Sequence, residues 1–137
     1  MIRHPARDVA RAVAGAVLML LAVLMMPAES AAQKLYTAAQ LTQAPKVVSM
    51  EKTARMIQGS YPDHLRSRGI GGTVQLQFVV GPDGKVEPSS VEVLATTVEE
   101  LGEAAKRVAE RLEFFPPKVK DVAVRAKVIL PIVYRAS

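Results

Sequence analysis

"GTVQLQFVVGPDGKV", residues 72–86, decides how the rest of this chain is read. Val74, Leu76, Phe78 and Val80 recur at every second position, with Thr73, Gln75 and Gln77 between them. Successive side chains of a strand point to opposite faces. The alternation therefore predicts a strand covered on one side and wet on the other. Gly81-Pro82-Asp83-Gly84 follows as a turn. Pro82 presets φ, Asp83 bonds back to the backbone and Gly84 takes positive φ. The returning strand is interrupted at Pro88-Ser89-Ser90 and resumes at Val91, Val93 and Ala95, which predicts a bulge or bend.

The flanking sequence supplies helices. Ser49 opens a short helix with a thin apolar stripe at Met50, Thr53, Ala54 and Ile57, ended by Gly59. Upstream, Pro45 breaks any helix that starts at Thr37. Tyr61-Pro62 starts another short helix, with Leu65 facing inward, Gly69 as a left-handed stop and Ile70 plugging the core. After the hairpin, Thr97 and Glu100 match a capping box. Val98, Leu101, Ala105, Val108 and Leu112 form the inward stripe of that helix. Its early Glu99, Glu100 and Glu103 and later Lys106, Arg107 and Arg111 follow the helix dipole.

"FFPPKV" ends the helix, and a long final strand follows. Val122, Val124, Ala126, Val128, Leu130, Ile132 and Tyr134 alternate on one face, with Arg125, Lys127 and Arg135 on the other. Pro131 cannot donate to two neighbours, so this strand lies at the rim of the sheet or ends its pairing there. A long rim strand is a hazard unless it is used or protected. The fold class is α+β: a small antiparallel sheet, formed by the hairpin and the long C-terminal strand, with one or two helices packed on one face.

The chain has 137 residues, which suits one domain, and no cysteine. That removes disulfides, thiolate metal sites and thiol catalysis. The net charge of +5 is modest, and Arg3, Arg7 and Arg11 supply part of it. Without a basic stripe interleaved with aromatics, nucleic acid is not an expected partner. His64 is the one histidine beyond the N-terminal segment and reads as a surface residue. "GIGG" precedes a strand where a phosphate loop needs a helix. No catalytic, metal or cofactor-binding residue is expected, and the chain does not read as an enzyme.

The N-terminus reads as a targeting segment. "MIRHPARDVAR" is a basic head, residues 12–26 are uncharged, and Ser30-Ala31-Ala32 fits a cleavage site after Ala32. As an uncleaved anchor the apolar run would span about 22 Å, against about 30 Å of hydrocarbon. The mismatch favours cleavage. Either way the remainder lies outside the cytoplasm. The chain thus divides into a signal peptide or signal anchor (1–32), a connector (33–56) and a domain (57–137).

The order Tyr61-Pro62, "RSRGIGGTVQLQFVVGPDGKV", a capped helix, "FFPP" and a terminal alternating strand resembles the C-terminal domain of TonB. The resemblance covers residues 57–135. It implies a small antiparallel sheet with helices on one face and a place in the periplasm, with inner-membrane anchoring if the leader is retained. It also implies a partner, an outer-membrane TonB-dependent transporter, held by addition of its TonB-box peptide to the rim of the sheet. On that reading Val124, Arg125, Ala126, Lys127, Val128, Ile129 and Leu130 hold the peptide, and Gln58 contacts it. ExbB/ExbD-type motor proteins are the partners implied at the inner membrane. Two features depart from energy-transducing members: the apolar run has neither Ser nor His, and no Pro-rich spacer follows it. Fully extended, residues 33–60 reach at most about 100 Å. The alternative is a structural or assembly module that forms a homodimer through the same strand.

Overall fold

Strand β3 (Gly72–Val80) is the centre of the molecule, and its alternation is realised over its first half, while Val79 near its end is buried as well. Val74, Leu76, Phe78 and Val80 are fully buried, while Thr73 and Gln75 are exposed on the other face. In the computed structural model, which describes residues 34–136, the chain runs through eight strands and three α-helices. The first two strands are β1 (Leu35–Tyr36) and β2 (Lys46–Val47); helices α1 (Met50–Ser60) and α2 (Asp63–Ser67) precede β3. Next come β4 (Glu92–Thr96), α3 (Glu99–Ala109) and β5 (Phe114–Phe115). The chain closes with β6 (Lys118–Val119), β7 (Val122–Ala123) and β8 (Arg125–Tyr134). The main sheet has the order β1-β8-β3-β4, with β1 parallel to β8 and the other pairs antiparallel. The fold is α+β.

The helices cover one face only. Leu101, Ala104, Ala105, Val108 and Ala109 of α3 are buried against the inward side chains of β3, together with Ile132 and Tyr134 from β8. Phe78 meets Phe114 at a ring separation of 5.8 Å. No charged or polar residue is buried among the described residues, so the core is held by apolar burial, about 2–3 kcal/mol for a side chain such as Phe78.

Several sequence expectations hold in detail. Ser49 caps α1 by accepting from the Lys52 amide (3.1 Å). Gly69 ends α2 with φ of 69°, and the amides of Ile70 and Gly69 close back onto Leu65 and Arg66. The Asp83 carboxylate accepts from the Lys85 amide (3.0 Å), and Gly84 has φ of 81°. The expected interruption is a 3-10 turn at Pro88–Ser90, followed by a register shift that leaves Leu94 as the extra residue of β4.

Others are corrected. Thr97 does not cap α3. Its hydroxyl accepts the Thr73 amide (3.1 Å) at the end of the β3 ladder, and Glu100 reaches His64 instead (2.7 Å). Gly59 lies inside α1, which continues to Ser60. Val122 is exposed, because residues 118–123 form a small separate hairpin that turns through Lys120 and Asp121 at positive φ. The stretch read as a connector supplies β1, β2 and α1 to the fold. The reading of residues 1–32 lies outside the described residues. Among those described, no helix is long and apolar enough to cross a membrane.

Tyr134 ties α1 to the sheet. Its hydroxyl shares a 2.9 Å hydrogen bond with Ser60, and its ring meets Tyr61 edge-on at 5.3 Å. Burial raises its pKa above the ordinary 10.0, opposed by the Ser60 hydrogen bond. The unfolded chain therefore loses this proton first. The linked stability is complete below about pH 10 and is lost as pH climbs through the raised folded value. Melting temperatures recorded on the alkaline side are expected to fall less steeply for Tyr134→Phe than for the parent. At neutral pH that variant loses about 1 kcal/mol.

Candidate functional site

Hydrogen bonds at the two ends of β3 fix which way each residue of β8 faces. The Thr97 amide donates to the Thr73 carbonyl (3.2 Å), and the Glu87 amide donates to the Val79 carbonyl (2.9 Å). The Val79 amide donates to the Ser90 hydroxyl (2.9 Å). Thr73 and Val79 thus turn their main-chain groups toward β4. Alternate residues of an antiparallel strand serve opposite flanks, so Gly72, Val74, Leu76, Phe78 and Val80 serve β8. The extra residue at the bulge is on β4, which leaves the alternation of β3 unbroken.

The partners of those five are Tyr134, Ile132, Leu130, Val128 and Ala126. The N–H and C=O groups of Arg125, Lys127, Ile129, Pro131 and Val133 therefore face away from β3. Pro131 is a direct check. The ladder runs through the Gln75–Pro131 pair without a shift in register, because the missing N–H is on the outward flank.

Part of that flank is taken. Leu35 and Tyr36 lie alongside Arg125 and Ala126 as a parallel strand. Val124 precedes β8, is buried, and donates its amide to the Pro117 carbonyl (2.9 Å). Arg125 is also clamped by Glu87 through two bonds of 2.7 and 2.8 Å, and the Glu87 hydrogen bond raises its pKa. From Ile129 to Val133 no strand lies alongside among the described residues. Ile129 and Val133 offer N–H and C=O there, and Pro131 offers C=O alone.

The predicted peptide-binding set is therefore divided. Val124, Arg125 and Ala126 are engaged within the fold. Lys127 stands where β1 ends, and Val128 and Leu130 direct their main-chain groups to β3. Ile129 faces outward, and Pro131 and Val133 join it. Gln58 is exposed on α1, two residues before Ser60, with its carbonyl held by Arg66 (2.6 Å). β1 was missed by sequence reasoning: two residues carry no period, and their partner lies at the far end of the chain.

The helix-free face of the sheet adds exposed apolar side chains beside the open flank, Ile129 at 54% and Val133 at 46% of full exposure. Lys127 and Arg135 stand at the two ends of that run. Charges and a proline along a rim strand limit uncontrolled pairing.

A family model described as the Gram-negative bacterial TonB protein C-terminal region matches residues 58–136, more than half of the chain. The chain belongs to the TonB C-terminal family. The solution structure of the Pseudomonas aeruginosa TonB C-terminal domain is similar in fold. It has a TM-score of 0.52 and 17% identity, covering 73% of this chain and 92% of that one. A Helicobacter pylori TonB C-terminal domain structure aligns at 26% identity with a TM-score of 0.43, covering 64% and 94%. No curated protein is a significant match. TonB-family membership implies a role in TonB-dependent transport, and the family engages outer-membrane transporters.

Proposed function

We propose that this TonB-family domain is periplasmic and binds the TonB box of an outer-membrane transporter as an added strand along the outward flank of β8, residues 129–133. One observation carries the reading. Ile129, Pro131 and Val133 present main-chain groups to solvent in a row, at strand spacing, on a sheet that is otherwise closed by its own chain on that side. An extended peptide completes the ladder. Each added hydrogen bond contributes about 0.5–1.5 kcal/mol net. So short a run supports a dissociation constant on the order of 1 mM from the main chain alone.

Titrating a TonB-box peptide while recording amide shifts tests this reading. The expected result is a set of shifts concentrated at Ile129 and Val133 and fading toward β4. Shifts that avoid β8 would overturn it. Self-association through the same flank is disfavoured by Pro131. A symmetric antiparallel pair centred on the open run would set two prolines opposite each other and lose donors on both sides. A sedimentation coefficient independent of concentration is expected.

A further inference from the structure

Main-chain pairing does not discriminate between sequences, so a selective rim strand needs a side-chain pocket beside it. The structure holds one where the open flank begins. After Tyr36 the chain leaves β8, forms a 3-10 turn at Ala38–Gln40, and runs on to Lys46–Val47, which pairs with β5. The loop and the strand flank a half-open cavity of about 430 Å³. Ala38, Leu41, Ala44, Pro45, Val128 and Ile129 make its apolar lining. Only Thr37 and Lys127 add polar groups.

We propose that this cavity is the specificity pocket of the domain and takes an apolar side chain from the strand that adds to β8. The inference rests on the strand-addition reading and adds to it the chemistry of the guest. Two observations identify the occupant. Ile129 lines the cavity and also faces its N–H and C=O outward, so a strand bonded to Ile129 passes over the mouth. β1 occupies the same flank up to Ala126, so the guest lies in line with β1 and its near end meets the 3-10 turn. A side chain at that end has an apolar wall on the loop side and another on the strand side. A cationic side chain there would be desolvated and would face Lys127, and a carboxylate would find only Lys127 at the margin of an apolar lining, whereas an aliphatic or aromatic one gains by burial.

The test uses the full chain, a TonB-box peptide and analogues in which each apolar residue in turn is alanine. For the parent protein, one truncation is expected to weaken binding about tenfold. Ala38→Phe, which fills the cavity, is expected to weaken the parent peptide about tenfold and to abolish the difference between it and that analogue. Shifts at Ile129 and Val133 persist at saturating peptide. If Ala38→Phe does not fold, Leu41→Ala removes one wall and is expected to erase the same discrimination. Unchanged affinity and discrimination, with shifts at Ile129 and Val133 intact, would overturn the pocket and leave strand addition standing. Absence of those shifts from the parent protein would overturn both.

Discussion

Val128→Pro is expected to remove a large part of the stability of the domain, whereas Ile129→Pro, one residue further on, leaves most of it and impairs peptide binding. Both substitutions introduce proline; they differ in which flank loses an N–H, and Val128 also packs against the core whereas Ile129 is exposed. Val128 pairs with Phe78 in the middle of the β3–β8 ladder. Proline there removes a buried ladder bond and forces its ring against β3, a loss of about 3 kcal/mol or more. A domain of this size holds only about 5–15 kcal/mol in total. At Ile129 the lost donor faces solvent in the free protein, as Pro131 already does, so the cost is about 1 kcal/mol. A guest strand then loses a bond and meets the ring, and binding weakens at least about tenfold. Circular dichroism and peptide titration of the pair check this. Equal loss of stability in both variants would contradict the assignment of flanks.

Gly84→Ala is expected to cost about 3 kcal/mol, and Gly69→Ala about 1 kcal/mol. Both glycines have positive φ, 81° and 69°. The difference is what surrounds them. A β-carbon on Gly84 would stand 2.0 Å from the Phe114 carbonyl oxygen, whereas nothing lies within 4 Å of one on Gly69. Gly84 also accepts the Phe114 amide (2.8 Å), so the turn cannot move away without breaking the bond that docks β5 onto it. Urea unfolding of the two variants measures the contrast. Equal midpoint shifts would show that only the dihedral matters and that the turn is not clamped.

The elements that sequence alone made legible are those with a local period. The even residues of β3 and β8 alternate over a long enough run to name their own buried face, and α3 carries a full inward stripe. Pro131 pointed to the rim, and the register places its missing donor on the outer flank. What was not legible depends on distant partners. Leu35 and Tyr36 become a strand only because Arg125 and Ala126 offer a flank. Thr97 and Glu100 fit a capping box by spacing, yet Thr73 and His64 take both side chains. The candidate site inherits this limit. The strand that carries it could be read, but the extent of its open flank could not, because β1 sets where that flank starts.

Amide hydrogen exchange along β8, with and without TonB-box peptide, reads out which flank of the strand is open. In the free protein Val128, Leu130 and Ile132 are expected to exchange slowly while Ile129 and Val133 exchange fast, and saturating peptide slows Ile129 and Val133. Slow exchange at Ile129 and Val133 without peptide, or fast exchange at both when peptide is saturating, would contradict the account.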